Sequence, residues 1–385
     1  MCDIFESRYF SVIKFFLTCL GQWPFDNRRR NRVIQIFVFC NVFGFFIAVS
    51  SYMIYVWGDV VKMVECLQIM FICIDALGFT IVFHVSRKKF RKIFYKIKSN
   101  WKIWSSDEEK VIMFKYANDG RLLTNLCTVI MMALVLVVLI PPLVPPFLDI
   151  ILPQNESRYK DVPFPIYYFA EYYEEHFYWI YACVSLNFLL QMFFLITCLS
   201  LLAVTIQHAC GLFSIISLHL RKIDTHGSEE ENLKAVIFCI KQHNQTIEYC
   251  NDVESFFSPC LFFVVIVNCI FLSFSLIQVV FNLSDMKMII KPVIYMSGAL
   301  VNLLLHSVAA QRLLDHSSGL GDNVYNVSWD EMSVAVRKPL LLMMMRSNHP
   351  CKITAGKIME ISFRFASAAL RASFSYFTLL SSTTP

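Results

Sequence analysis

Apolar positions along this 385-residue chain gather into runs long enough to cross a lipid bilayer, which takes about 20 residues of helix. Residues 33–57 contain no Asp, Glu, Lys or Arg and predict a first span. A second, 64–86, is apolar apart from Glu65 and Asp75 and stops at the basic run Arg87, Lys88, Lys89, Arg91, Lys92. The third, 122–139, ends at Pro141, Pro142, Pro145 and Pro146, where missing donors and ring clashes stop a helix. Uncharged residues then run from 177 to 220, longer than one crossing needs, so span four (177–207) is expected to project beyond the membrane as helix. Span five, 255–283, continues a helical pattern already present at Leu233, Val236, Ile237 and Ile240. Span six covers 292–311, and a seventh, 361–382, is the least apolar and contains Arg364 and Arg371.

The pattern predicts an all-α polytopic membrane protein with seven transmembrane helices. Composition agrees: 57% of residues are hydrophobic and 16% charged, against roughly 25% charged in soluble domains. With 36 Phe beside 11 Gly and 13 Pro, the chain is neither disordered nor collagen-like. The net charge of +5 comes with no nucleic-acid-binding signature. Asp3, Glu6, Arg8 and Lys14 interrupt the first 21 residues, so no cleaved signal peptide is expected there.

Where the basic residues fall sets the expected orientation. The connections 1–32, 85–121, 209–254 and 312–364 hold 28 Lys and Arg, whereas 58–63, 140–176 and 281–291 hold five. Basic residues are retained in the cytoplasm, which places the amino terminus cytoplasmic and the carboxyl terminus extracellular. Glycosylation sequons at Asn155 and Asn282 then lie outside, while those at Asn244 and Asn326 lie inside and stay bare. Of 14 Cys none is in 140–176, and most sit in spans as small buried apolar residues.

No P-loop, dinucleotide-binding glycine pattern, H-E-x-x-H, zinc-spaced cysteine pair or G-x-S-x-G elbow occurs, and the nine His are scattered. An enzyme, a cofactor and a metal site are therefore not expected. A G-protein-coupled receptor would have the opposite orientation, and its D-R-Y and N-P-x-x-Y motifs are missing. A membrane transporter would favour an internal repeat, and none is found. Helices that run on below the membrane suit subunit packing, hence an oligomer.

Span seven carries a polar stripe: at 100° per residue, Arg364, Ser367, Arg371, Ser375, Thr378 and Ser382 fall within an arc of roughly 80°. Such a stripe faces protein or water. Either the helix is buried against its own bundle with its hydroxyls bonding backbone carbonyls, or symmetric copies line an aqueous path. In the second reading a ring of Arg371 would repel cations, so Arg371 belongs in a wider vestibule or at a subunit contact. Leu379, at the edge of the arc, would close the path by dewetting.

The outer halves of other spans mix aromatic, aliphatic and occasional polar residues: Gln68, Phe71, Ile72 and Asp75 in span two, Tyr181, Ser185 and Phe188 in span four, Tyr295 in span six. This mixture suits a small, largely apolar ligand oriented by one or two hydrogen bonds. Asp75 either contacts ligand or bonds a neighbouring helix in its neutral form. The segment 164–181, rich in Tyr with Glu171, Glu174 and Glu175, marks an interfacial aromatic belt.

At the carboxyl end, Arg346, Ser347, Pro350, Thr354, Ala355, Gly356 and the run Ser375 to Leu379 resemble the final segment of insect odorant receptors; Tyr325, Trp329 and residues 337–342 resemble the stretch before it. These motifs cover about a sixth of the chain. The resemblance implies a cation channel of four subunits, in which an odorant-tuned chain assembles with a common co-receptor in a heterotetramer and a small volatile opens the pore. It implies a multi-pass protein of the olfactory sensory neuron plasma membrane, bound by lipid and not by nucleic acid. It places the gate at Leu379, with Thr383 at the outer mouth, and the ligand pocket in spans two, three, four and six, adding Leu134 and Val138 of span three. Tyr325, Trp329, Arg346, Pro350, Gly356 and Arg371 would serve the subunit contact or anchor. The division implied is 1–330 for the bundle of spans one to six with its pocket, and 331–385 for a cytoplasmic anchor helix followed by the pore-lining span. The co-receptor has a long insertion between spans four and five; the link here is short, which fits a tuning subunit. The terminal run does not fit the Thr-Tyr and Gln-Phe ending of the related gustatory receptors.

Overall fold

The computed structural model describes residues 4–152, 158, 160–166, 173–223, 227–282 and 286–383. The predicted sequon Asn155 lies outside the described residues. Helices account for nearly all of the described chain: α1 (Ser11–Cys19), α2 (Arg28–Tyr55), α3 (Val60–Val85), α4 (Arg87–Ile103), α5 (Asp107–Leu139), α6 (Val144–Ile151), α7 (Tyr173–Arg221), α8 (Glu229–Phe281), α9 (Met286–Tyr325), α10 (Val334–Ser347) and α11 (Phe363–Thr383). Among the described residues, six helices are long and apolar enough to cross a membrane, namely α2, α3, α5 with α6, α7, α8 and α9. The seventh span is α11, 21 residues long, whose polar face keeps its mean hydropathy down.

Local chemistry fixes where these helices begin. Asn27 caps α2 by accepting from the Arg29 N–H at 2.9 Å, and Asp59 caps α3 by accepting from the Lys62 N–H at 3.2 Å. Ser106 and Glu109 form a reciprocal capping box that starts α5 at Asp107, about four turns before the predicted third span. Span three is thus embedded in a 33-residue helix, an extension the hydrophobic pattern missed because charged residues break up 107–121. The expected projections of spans four, five and six are present as α7, α8 and α9 of 49, 53 and 40 residues. At 1.5 Å per residue, α7 is about 74 Å long, more than twice a hydrocarbon core of about 30 Å.

α7 and α8 form the centre. The most apolar stretch of α7 is 78% buried, against 22% for α2; α7 packs on α5, α8 and α9, and α8 on α3, α4, α9, α10 and α11. A large core links these helices, with aromatic contacts such as Phe83–Phe256 and Phe90–Phe256 joining α3, α4 and α8. The basic helix α4 buries Phe90, Ile93, Phe94 and Ile97, while Lys92 and Lys96 pair with Glu248 and Asp252 on α8.

Between α10 and α11 the chain makes a two-stranded antiparallel hairpin, Thr354–Ala355 with Met359–Glu360. Gly356 and Lys357 both have a φ of +62°, as a type I′ turn requires. The Gly356 N–H donates to the Ser258 carbonyl at 2.8 Å and the Lys357 N–H to the Ser258 hydroxyl at 2.8 Å, beside the in-helix Pro259. The hairpin therefore docks on α8, and its tight turn is the reason for a glycine in the Thr-Ala-Gly motif.

Candidate ligand cavity and pore-lining helix

α3, α5, α7, α8 and α9, with Phe164 from the connection before α7, enclose a cavity of about 100 Å³, several times the space one water needs. Its wall is aliphatic and aromatic, and Asp75, Asn268, Asn302 and Tyr295 supply the polar groups. Of the residues predicted to bind ligand, Ile72, Asp75, Leu134, Val138, Phe188 and Tyr295 converge in this lining. Four do not. Gln68 lies one turn nearer the α2–α3 connection, where its Nε2 donates to Ser275 Oγ at 3.0 Å and its Oε1 accepts from Gln278 Nε2 at 3.0 Å. Phe71 points about 100° away from Ile72, the Tyr181 hydroxyl donates to the Leu139 carbonyl at 2.6 Å, and Ser185 stands outside the wall with its hydroxyl buried and, among the described residues, unpartnered.

Sequence reasoning missed Ile69, Met131, Met192 and Leu195, each three or four residues from a predicted lining residue on the same helix or one turn further along it. Helical spacing alone could have found them. It also missed α8 as a wall: Val267, Asn268 and Phe271 line the cavity, and of these only Asn268, polar within a mostly apolar run, carried a signal in the sequence. At the rim nearest the α2–α3 connection, Lys291 on α9 pairs with Glu65 on α3, and its ammonium lies 5.9 Å from the ring centres of Phe164 and Tyr295.

The predicted stripe on α11 is exposed at Arg364, Arg371, Ser375 and Thr378, with Ser367 beside them. Ser367, Ser375 and Thr378 donate to carbonyls of their own helix, at 3.2, 3.1 and 2.9 Å. Leu379, next to the stripe, is 60% exposed. Ser382 and Thr383 belong to α11, but their side chains lie outside the described residues. The opposite face is narrow and made of small groups, Ala366, Ala369 and Ser373, which let the backbone approach closely. There Ser273 Oγ of α8 donates to the Ser373 carbonyl at 3.3 Å, and Ser373 Oγ donates to the Cys269 carbonyl at 3.4 Å. Of the two readings of the stripe, burial within its own bundle fails for a single chain, because the bundle covers the alanine face and leaves the hydroxyl face bare.

One apolar cluster joins cavity and helix. Leu370 of α11 packs on Phe271, Leu272 and Ala299, the same group on which Ile72 and Tyr295 pack. Ile72, Phe271, Tyr295 and Ala299 all line the cavity.

The expected anchor residues are spread over one end. Tyr325 is exposed, Trp329 half-buried, and Arg346 donates to the His349 carbonyl at 2.6 Å. Pro350 is half-buried after α10, Arg371 is exposed on α11, and Gly356 is committed to this chain's own α8 through Ser258 and the Phe262 ring. Among the described residues no group of His, Cys, Asp and Glu is arranged to hold a metal.

The sequence model of the family described as 7tm Odorant receptor matches residues 59–374, from the cap of α3 into α11. The chain belongs to that family. The receptor is 26% identical over 182 residues to putative odorant receptor 85d of Drosophila melanogaster, covering 44% of this chain and 43% of that one. It is 30% identical over 150 residues to odorant receptor Or2 of Anopheles gambiae, covering 37% of each. The matches thus span less than half the length of these curated relatives. In fold, the receptor is similar to the insect olfactory receptor OR5 from Machilis hrabei, solved in complex with eugenol, with a TM-score of 0.77 over 98% of this chain and 100% of that chain at 14% identity. The all-helical, seven-span architecture read from the hydrophobic pattern is the family's.

Proposed function

We propose that the receptor is an odorant-gated, non-selective cation channel subunit. A small volatile fills the cavity among α3, α5, α7, α8 and α9, and the change is passed to α11, which lines a pore together with copies of the same helix from other subunits. The observation that carries this is the shared cluster: Phe271 and Ala299 line the cavity and, with Leu272, make up the apolar cluster against which Leu370 of α11 packs. A ligand that displaces that wall necessarily shifts what α11 rests on, because a packed interior transmits strain.

In this mechanism the hydroxyl-bearing face of α11, bare in one chain, meets water along a common axis, and Leu379 narrows the path by dewetting when the channel is closed. Ser382 and Thr383 continue the lining toward the outer mouth. Arg371 sits in the wider part or against a neighbouring subunit. The partners are odorant co-receptor chains in a heterotetramer, the anchor residues Tyr325, Trp329 and Arg346 meet them, and the amino terminus is cytoplasmic, in the plasma membrane of an olfactory sensory neuron. Asn282, which caps α8 and donates from Nδ2 to the Gln278 carbonyl at 2.7 Å, lies on the outer side and is a glycosylation site.

The test is to record current in cells lacking G-protein signalling, with and without the co-receptor, while volatiles are applied. Ligand-evoked cation current that appears when both chains are present, and that thiol reagents block when Ser375, Thr378 or Leu379 is replaced by Cys, is the expected result. Ion flow indifferent to reagents at all three positions would remove α11 from the pore.

A further inference from the structure

The cavity has a chemical polarity along its length, and this says what kind of head its ligand carries; the inference rests on the cavity being the odorant site. On each of α3, α8 and α9 a polar side chain stands at or next to the lining position furthest from the α2–α3 connection: Asp75, Asn268 and Asn302. The corresponding positions on α5 and α7 are Met131 and Leu195. Three of the four polar groups therefore gather at one end, the floor, with Tyr295 toward the opposite rim, while Ile69, Ile72, Val138, Phe188 and Phe271 make the walls apolar.

The unmet hydrogen-bonding capacity of that floor is weighted toward acceptance. Asn268 Nδ2 donates to the Val264 carbonyl at 2.7 Å, and Asn302 Nδ2 donates to Asn268 Oδ1 at 3.4 Å, so the amide donors have protein partners. Two acceptors have none. Among the described residues Asn302 Oδ1 is buried without a hydrogen bond, and the Asp75 carboxyl accepts none and makes no ion pair. Lys291, at the opposite rim, is paired with Glu65. An acceptor enclosed by apolar groups is costly until a donor reaches it.

We propose that the Asp75–Asn302 floor selects ligands with a hydrogen-bond-donating head, a hydroxyl or an amine, on a small apolar body. The head meets Asp75, and the body lies along Ile72, Phe188 and Phe271. A ligand that only accepts, such as an ether, leaves Asn302 Oδ1 without a donor and can engage Asp75 only through a proton held on the carboxyl. Hydrogen bonding to a buried polar group separates matched ligands far more sharply than a methylene does.

Four probes of nearly equal size test this: 2-phenylethanol, 2-phenylethylamine, the acceptor-only isomer benzyl methyl ether, and propylbenzene. Each is applied to the receptor with its co-receptor for current, and to the purified chain in detergent for ligand-induced thermal stabilisation. The expected result is that the alcohol or the amine acts at about tenfold lower concentration than the ether and the hydrocarbon, and that Asp75→Leu brings the four level while propylbenzene keeps its effect. If Asp75→Leu fails to reach the membrane, Asp75→Asn is used: its amide offers a donor, so the ether gains on the alcohol by about threefold or more. Equal potency of ether and alcohol on the unaltered receptor, or an unchanged ranking in these variants, overturns the proposal. Donor-selective stabilisation without current supports the floor and counts against the channel reading, whereas current without donor preference does the reverse. No effect of any probe in either assay overturns the floor.

Discussion

At Gly356 the hairpin before α11 depends on the absence of a side chain. Its φ of +62° is a region that L-residues enter at a cost, and a Cβ there would stand 2.6 Å from the Phe262 ring. Gly356→Ala is expected to destabilise the receptor by about 1–3 kcal/mol, read as a lower melting temperature in detergent, and Phe262→Ala in the same chain should recover part of the loss by removing the clash but not the strain. At Gly298 the added Cβ would meet Leu134 Cδ1 at 3.2 Å, with both residues in the cavity wall. Gly298→Val is expected to weaken the response to bulkier ligands about tenfold relative to smaller ones, with surface labelling unchanged; dose–response curves for a size series check this. Asp75 marks how far a single residue type can be read. A carboxyl in an apolar run announces a special role, and a bond to a neighbouring helix is the commoner one; among the described residues the structure shows no such bond for Asp75.

Among the elements, α3 is the one whose start is most open to test. The Lys62 backbone N–H, joined by the Lys62 ammonium, holds the Asp59 carboxyl below its ordinary range. A group depressed on folding contributes stability that is present above its unfolded value and lost as pH falls through the folded one. Asp59→Ala is therefore expected to cost about 1 kcal/mol near neutrality, with the gap to the unaltered receptor closing once the pH drops below about 4. Melting curves of the two proteins across that range decide it. The exposed pairs between α4 and α8 are weaker devices, since ion pairs in water contribute little; what holds α4 is the burial of Phe90, Ile93, Phe94 and Ile97. Element lengths show the limit of pattern reading. The apolar runs located the membrane portions of α7, α8 and α9, but the start of α5 at Asp107 is written in a capping box and an acidic first turn, signals unrelated to hydropathy.

Across the whole molecule, α11 is seated on α8 and α9 through residues too small to hold it apart, and the proposed gating depends on that seat. Ala369 is 5% exposed and packs with Ala366 and Leu303. Ala369→Leu is expected to push α11 off its seat, at a cost of about 1–3 kcal/mol in overpacking. The receptor should then keep ligand-induced thermal stabilisation but lose most of its ligand-evoked current. Loss of both together would instead place α11 in the wall of the ligand site. The orientation of the bundle belongs to this scale as well: an epitope at Pro385 is expected to be reached by antibody on intact cells, and labelling only after permeabilisation would invert the topology drawn from the basic residues.

The sequence by itself determined the class of the fold, because a bilayer demands about 20 apolar residues per helix whatever the helices then pack against. It also determined the two-faced character of α11, since polar residues three, four and seven apart share a face on any helix. The convergence of Ile72, Leu134, Val138, Phe188 and Tyr295 on one cavity, the entry of α8 into its wall, the displacement of Gln68 and Tyr181 to partners elsewhere and the bridge from Phe271 to Leu370 were decided only by tertiary structure. In a lipid-spanning chain nearly every residue of every helix is apolar, so hydropathy cannot tell a side chain facing lipid from one facing a neighbour. That distinction is made by shape and by which helices meet.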